Sequence, residues 1–107
     1  MTDPIDRAFL ALQREYLDCM PARLEELRAV IARFRAGHRD ATDSLKVRLH
    51  RLAGSGGSYG FLDLSSLARE GQHWLTRFPA PGDADQLEAI VDRMAKAVEE
   101  AGKRVRG

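Results

Sequence analysis

Apolar residues return every three or four positions along this chain, and no run alternates apolar with polar residues as a strand would. Leu24, Leu27, Ile31 and Phe34 form one stripe. Leu64, Leu67, Ala68, Gly71, Leu75 and Phe78 form a second with Trp74 at its edge, and Leu87, Ile90, Val91, Met94, Val98 and Ala101 form a third. Only an α-helix gathers residues so spaced onto one face. Each helix must then hide its stripe against another helix, which fixes the class as all-α.

Boundary residues divide the pattern. Asp3 suits an N-cap and Pro4 the first helical position, where its missing N–H is not needed. The stripe Ile5, Phe9, Leu12, Tyr16 follows and ends near Cys19; Pro21 then either starts a second helix or kinks the first. Gly37 is a C-cap candidate. After the short loop His38-Arg39, Asp40 or Thr42 would cap a third helix running to about Tyr59, with Gly60 as terminator. Asp63 would cap the fourth, Pro79-Ala80-Pro81-Gly82 stops it, and Asp83 with Gln86 resembles a capping box for the fifth. Short connections join neighbours that run in opposite directions. The expected architecture is an antiparallel four-helix bundle with an additional short N-terminal helix covering one end. It would form a single domain over residues 1–107.

With 17 basic and 16 acidic residues the formal net charge is +1, which argues against nucleic acid or a membrane surface as partner, since both favour a basic stripe. The short cluster Lys103-Arg104-Val105-Arg106 reads as a solvated helix end. Cys19 is the single cysteine, so no intrachain disulfide forms. Its place between two amphipathic segments suggests a small core or joint residue. Asp3, Asp6, Arg7, Arg14 and Glu15 interrupt any signal-peptide run, and nothing approaches the roughly 20 apolar residues of a membrane span. A soluble, cytoplasmic monomer is expected, because every stripe can be used within one bundle.

His50 departs from the packing pattern. At about 100° per residue, Leu45, Leu52, Gly56 and Tyr59 fall on one side of the third helix, with Leu49 at the edge. His50 points the other way, among Asp43, Lys46, Ala53, Gly54 and Gly57. An exposed nucleophile cleared of bulky neighbours suits approach by a large partner. Val47, Ala53, Gly54 and Gly57 would form a low-relief docking patch, with Asp43, Lys46 and Arg51 at its rim.

Four glycines in the seven residues Gly54–Gly60 weigh against helix by roughly 0.8–1 kcal/mol each relative to alanine. A phosphate-cradling loop would need a preceding strand and a Gly-Lys-Ser/Thr ending. Gly56-Gly57-Ser58-Tyr59-Gly60 fits the Gly-x-Ser-x-Gly string, but that nucleophile elbow, and a hydrolase using Ser58 and His50, require a parallel sheet. A surface loop is the plain alternative. In the helical reading, Gly54 and Gly57 clear His50's own face, Gly56 admits a neighbouring helix, and Gly60 ends the element.

The run His50-Arg51-Leu52-Ala53-Gly54-Ser55, followed by Gly60-Phe61 and by Leu64, Leu67 and Ala68, resembles the signature of histidine-containing phosphotransfer (HPt) domains. The resemblance is close over about 20 residues, and the order of the helical segments agrees over nearly the whole chain. It implies a phosphorelay intermediate: His50 would accept a phosphoryl group from a sensor or hybrid histidine kinase, or from a receiver-domain aspartate. It would then pass the group to a response-regulator receiver domain, without independent turnover. In that family the receiver supplies the aspartate and Mg²⁺, so the bundle needs no cofactor or metal of its own. His38 and His73 are isolated and read as solvated. Gln72 matches the glutamine that, in some family members, bonds the second imidazole nitrogen. The family often carries lysine three residues after the histidine, where this chain has Ala53; Lys46, one turn before His50, is the candidate to replace that charge. A helical module that binds receiver domains without phosphotransfer is the competing reading.

Overall fold

The computed structural model describes residues 3–77 and 80–106. Four α-helices carry the fold: α1 (Pro4–Arg35), α2 (Arg39–Ser58), α3 (Leu62–Arg77) and α4 (Ala84–Arg106), with a 3-10 turn over Pro81–Asp83 before α4. No strand occurs among the described residues.

The expected short N-terminal helix does not exist as a separate element. Residues 4–35 form one helix with Pro21 inside it. An interior proline costs about 3 kcal/mol or more. Leu17, Met20, Leu24 and Leu27 are all buried on either side of it, and burying one such side chain returns roughly 1.5–3 kcal/mol. Packing therefore outweighs the lost backbone bond, and Pro21 itself stays exposed. The start is capped as expected: Asp3 Oδ1 accepts from the Ile5 amide at 2.9 Å. At the other end Gly37 takes φ +87°, a left-handed conformation that lets the chain turn into α2.

At 32 residues, α1 spans about 48 Å and sets the 53 Å length of a molecule only 19 by 17 Å across. The first turns of its N-terminal stripe are left largely open: Ile5 is 76% exposed, and Phe9 and Leu12 are also exposed. Contact with the other helices begins at the α2–α3 turn. There Phe9 stacks with Tyr59 (ring centroids 6.5 Å) and Tyr16 meets both Tyr59 (4.7 Å) and Phe61 (5.7 Å). Gln13 Nε2 donates to the Tyr59 carbonyl at 2.8 Å.

One continuous core joins the helices, with Phe34, Met20, Leu27, Ile31, Leu45, Leu64, Leu75, Met94 and Val91 fully buried. Phe78 and Pro79, expected in the α3 stripe and its stop, lie outside the described residues. Around the rim, Arg106 pairs with Asp18, Arg28 with Asp92 (2.8 Å), Arg35 with Asp85 (2.7 Å) and Arg93 with Glu70 (2.8 Å).

Several caps differ from expectation. α2 starts at Arg39, so His38 holds the N-cap position without a side-chain cap bond, and Asp40 pairs with Arg33 in the first turn. Asp63 falls within the first turn of α3. Asp83 belongs to the 3-10 turn, where its amide bonds the Ala80 carbonyl at 2.9 Å. Cys19 is exposed, neither core nor joint, because α1 continues straight through it.

Candidate functional site

The glycine-rich segment is helical through Ser58, and Gly60 (φ +83°) ends it. Burial of Leu45, Leu49, Leu52 and Gly56 on the inner face holds this poor helix former in place. His50 stands exposed on the opposite side. Gly54, one turn on, is exposed, and a Cβ there would meet nothing within 4 Å. Val47 is exposed as well.

Gln72 of α3 brings its Nε2 to 3.5 Å from His50 Nδ1, at the long limit of a hydrogen bond. An amide has both a donor and an acceptor end. With Nε2–H donating, Nδ1 accepts and the ring proton sits on the outer nitrogen. Turned by half a rotation, the amide would offer Oε1 to Nδ1–H and leave the outer nitrogen's lone pair free. Gln72 thus couples its own orientation to the imidazole tautomer.

Gly56 and Gly57 explain how α3 comes so close. A Cβ on Gly56 would lie 3.2 Å from the Ser65 amide nitrogen, and one on Gly57 would lie 3.4 Å from Ser65 Oγ. Gly57 is accordingly half-buried under Ser65, less open than its helical position alone implies. Ser65 is 2% exposed and donates its hydroxyl to the Ala53 carbonyl at 2.6 Å. Ala53 does not belong to a docking patch. It is only 5% exposed, because the close approach of α3 over the two glycines seals it into the α2–α3 seam.

The charges divide unevenly. Arg28, Arg33, Arg35, Arg48, Arg93 and Arg106 all pair with carboxylates. Lys46 and Arg51 beside His50, and Arg69 one turn before Gln72, make no ion pair among the described residues and are exposed. Behind the site, Tyr16 OH and Ser55 Oγ are 2.7 Å apart. Burial pushes the Tyr16 phenol above its ordinary value of 10.0, against the lowering effects of the Ser55 bond and the Arg23 charge, with Tyr59 adding to the rise. His38 and His73 are exposed. Among the described residues no group of three or more His, Cys, Asp or Glu could hold a metal ion, and no helix is long and apolar enough to cross a membrane.

Sequence reading passed over Ser65. Its signal was a small polar residue at the flank of the α3 stripe, seven positions before Gln72 and opposite a glycine pair. Leu62, 70% exposed at the start of α3, and Arg69 were also passed over, since neither breaks the helical pattern.

The protein-family model of the Hpt domain matches residues 11–102 of this 107-residue chain. The chain belongs to the Hpt domain family. That membership places it in histidine phosphotransfer within two-component signalling, among phosphocarrier modules that are not independent enzymes. No curated protein and no solved structure matches it.

Proposed function

We propose that this protein is a covalent phosphate carrier in a phosphorelay, with His50 as the phosphorylated residue. The observation that carries this reading is an exposed imidazole on a rigid helix, backed by Gln72 Nε2 at 3.5 Å, in a chain of the Hpt family. The donor is an aspartyl phosphate on a receiver domain, or a sensor or hybrid histidine kinase; the acceptor is the receiver domain of a response regulator. With the aspartyl phosphate as donor, the free imidazole lone pair attacks phosphorus, an N–P bond forms, and the P–O bond to the aspartate breaks with its electron pair leaving on the carboxylate. For this step the Gln72 amide is turned to present Oε1, so that the ring keeps its other proton on the nitrogen facing Gln72 and the outer nitrogen carries the lone pair. Return of the group to a second aspartate reverses these bonds.

Phosphoryl transfer rests on positioning and charge neutralisation. The receiver brings Mg²⁺, Lys46 stands near the phosphoryl oxygens in place of the lysine that Ala53 replaces, and Gln72 holds the tautomer. Val47, Gly54 and the open part of Gly57 form the docking surface, with Arg51 and Arg69 as a cationic rim suited to an acidic partner face. The bundle reads as antiparallel: Asp18, Arg28 and Arg35 along α1 meet Arg106, Asp92 and Asp85 in reverse order along α4. The carrier works as a cytoplasmic monomer.

The test is incubation with a phosphorylated receiver or an active kinase. The expected product carries acid-labile, alkali-stable label that disappears in His50→Gln. Complex formation without label in either protein would establish the alternative, a receiver-binding module.

A further inference from the structure

We propose that Ser65 is a positioning residue for His50: by clamping α3 to α2 through the Ala53 carbonyl, it sets where Gln72 meets the imidazole. This rests on the reading of His50 as the phosphoryl carrier.

Ser65 is a buried polar side chain at 2% exposure, and its 2.6 Å bond to Ala53 joins the two helices that build the site. The same point is a close backbone approach of the seam, where a Cβ on Gly56 would come within 3.2 Å of the Ser65 amide. Seven residues separate Ser65 from Gln72, two helical turns, so both side chains leave nearly the same flank of α3. Ala53 stands one turn beyond His50. The clamp and the Gln72–His50 contact are therefore neighbouring cross-links of one seam. Between helices so linked, small changes in spacing decide the weaker contact. At 3.5 Å, the Gln72 contact is already at its limit, and a further few tenths of an ångström abolishes it.

Ser65→Ala removes the clamp while leaving the packing volume almost unchanged. Gly56→Ala keeps the hydroxyl and wedges the seam open. Both should slow transfer from a phosphorylated receiver by on the order of tenfold, a fraction of the roughly hundredfold that a 1 Å misplacement reaches. Both should shift the His50 tautomer ratio, read from imidazole nitrogen NMR, to that of Gln72→Ala. The exposed neighbour substitution Ser66→Ala should do neither.

The decisive comparison is the double variant Ser65→Ala/Gln72→Ala. Residues acting through one contact are not additive, so it should transfer no more slowly than Gln72→Ala alone. An unchanged tautomer ratio in Ser65→Ala, or a double variant slower by the full product of the two effects, overturns the proposal. If Ser65→Ala fails to fold, Gly56→Ala and Gly56→Ala/Gln72→Ala decide by the same two measurements. Absence of label in the wild type would instead remove the carrier reading, while the tautomer measurements still decide what Ser65 does.

Discussion

Gln72 and His50 face each other across the α2–α3 seam, amide nitrogen to Nδ1, at 3.5 Å. A glutamine in this place makes the two imidazole nitrogens unequal, leaving one engaged and the other turned to the surface. Gln72→Ala should therefore slow phosphoryl transfer by roughly tenfold to a hundredfold through lost orientation. Its thermal midpoint should stay close to wild type, because Gln72 is only half-buried. Transfer kinetics and a melting curve on the same preparation check this; wild-type kinetics would remove Gln72 from the site.

Gly54→Arg should move stability and function in opposite directions. A Cβ at Gly54 meets nothing within 4 Å, and replacing an exposed helical glycine with arginine should stabilise the bundle by about 0.5–1 kcal/mol. The same side chain would stand on the surface one turn from His50 and exclude a docking protein, lowering transfer by about a hundredfold or more. Denaturant unfolding and label transfer test both halves. Normal transfer in this variant refutes the docking surface.

Lys46→Ala should slow transfer or shorten the life of the phosphorylated form. Lys46 is exposed and makes no ion pair among the described residues, so it is free to meet an added phosphoryl group. An exposed charge pair contributes about 0.2–1 kcal/mol, which corresponds to roughly a 1.5- to 5-fold effect, reduced by added salt. Decay and transfer rates at low and high ionic strength measure it. Equal rates for wild type and variant at low salt would exclude Lys46.

The Tyr16 phenol, raised above 10.0 chiefly by burial, links stability to alkaline pH. The folded state holds the proton more tightly than the unfolded chain. That contribution is fully present below the unfolded pKa near 10 and is lost as pH rises through the higher folded value. Wild type should destabilise more steeply than Tyr16→Phe above pH 10, although the variant should start about 1 kcal/mol lower through loss of the Ser55 bond. Unfolding curves from pH 8 to pH 11.5, with phenolate absorbance, provide the comparison; parallel curves would contradict it.

The helical stripes were legible because periodicity reports burial directly: Leu45, Leu49, Leu52, Leu64, Leu75, Leu87 and Met94 all lie in the core. The outward direction of His50 followed from the same angular arithmetic. Pro21 was not decidable, since the balance between a missing backbone bond and flanking leucines depends on which face meets another helix. Ala53 was misplaced for a related reason. A helical wheel gives direction but not how near a neighbouring helix comes, and here Gly56 and Gly57 bring α3 over that position. Ser65 was invisible as a functional candidate because a hydroxyl's value depends on what lies opposite it.

α2 is fastened to α1 near both ends, by Arg33 with Asp40 and by Tyr16 with Ser55 and Gln13 with Tyr59. A segment so poor in side chains would fray in isolation, but α1 acts as a splint along it. The two demands on the site are thereby shared out: one helix supplies a bare landing strip, and another supplies the stiffness that keeps the ring on target.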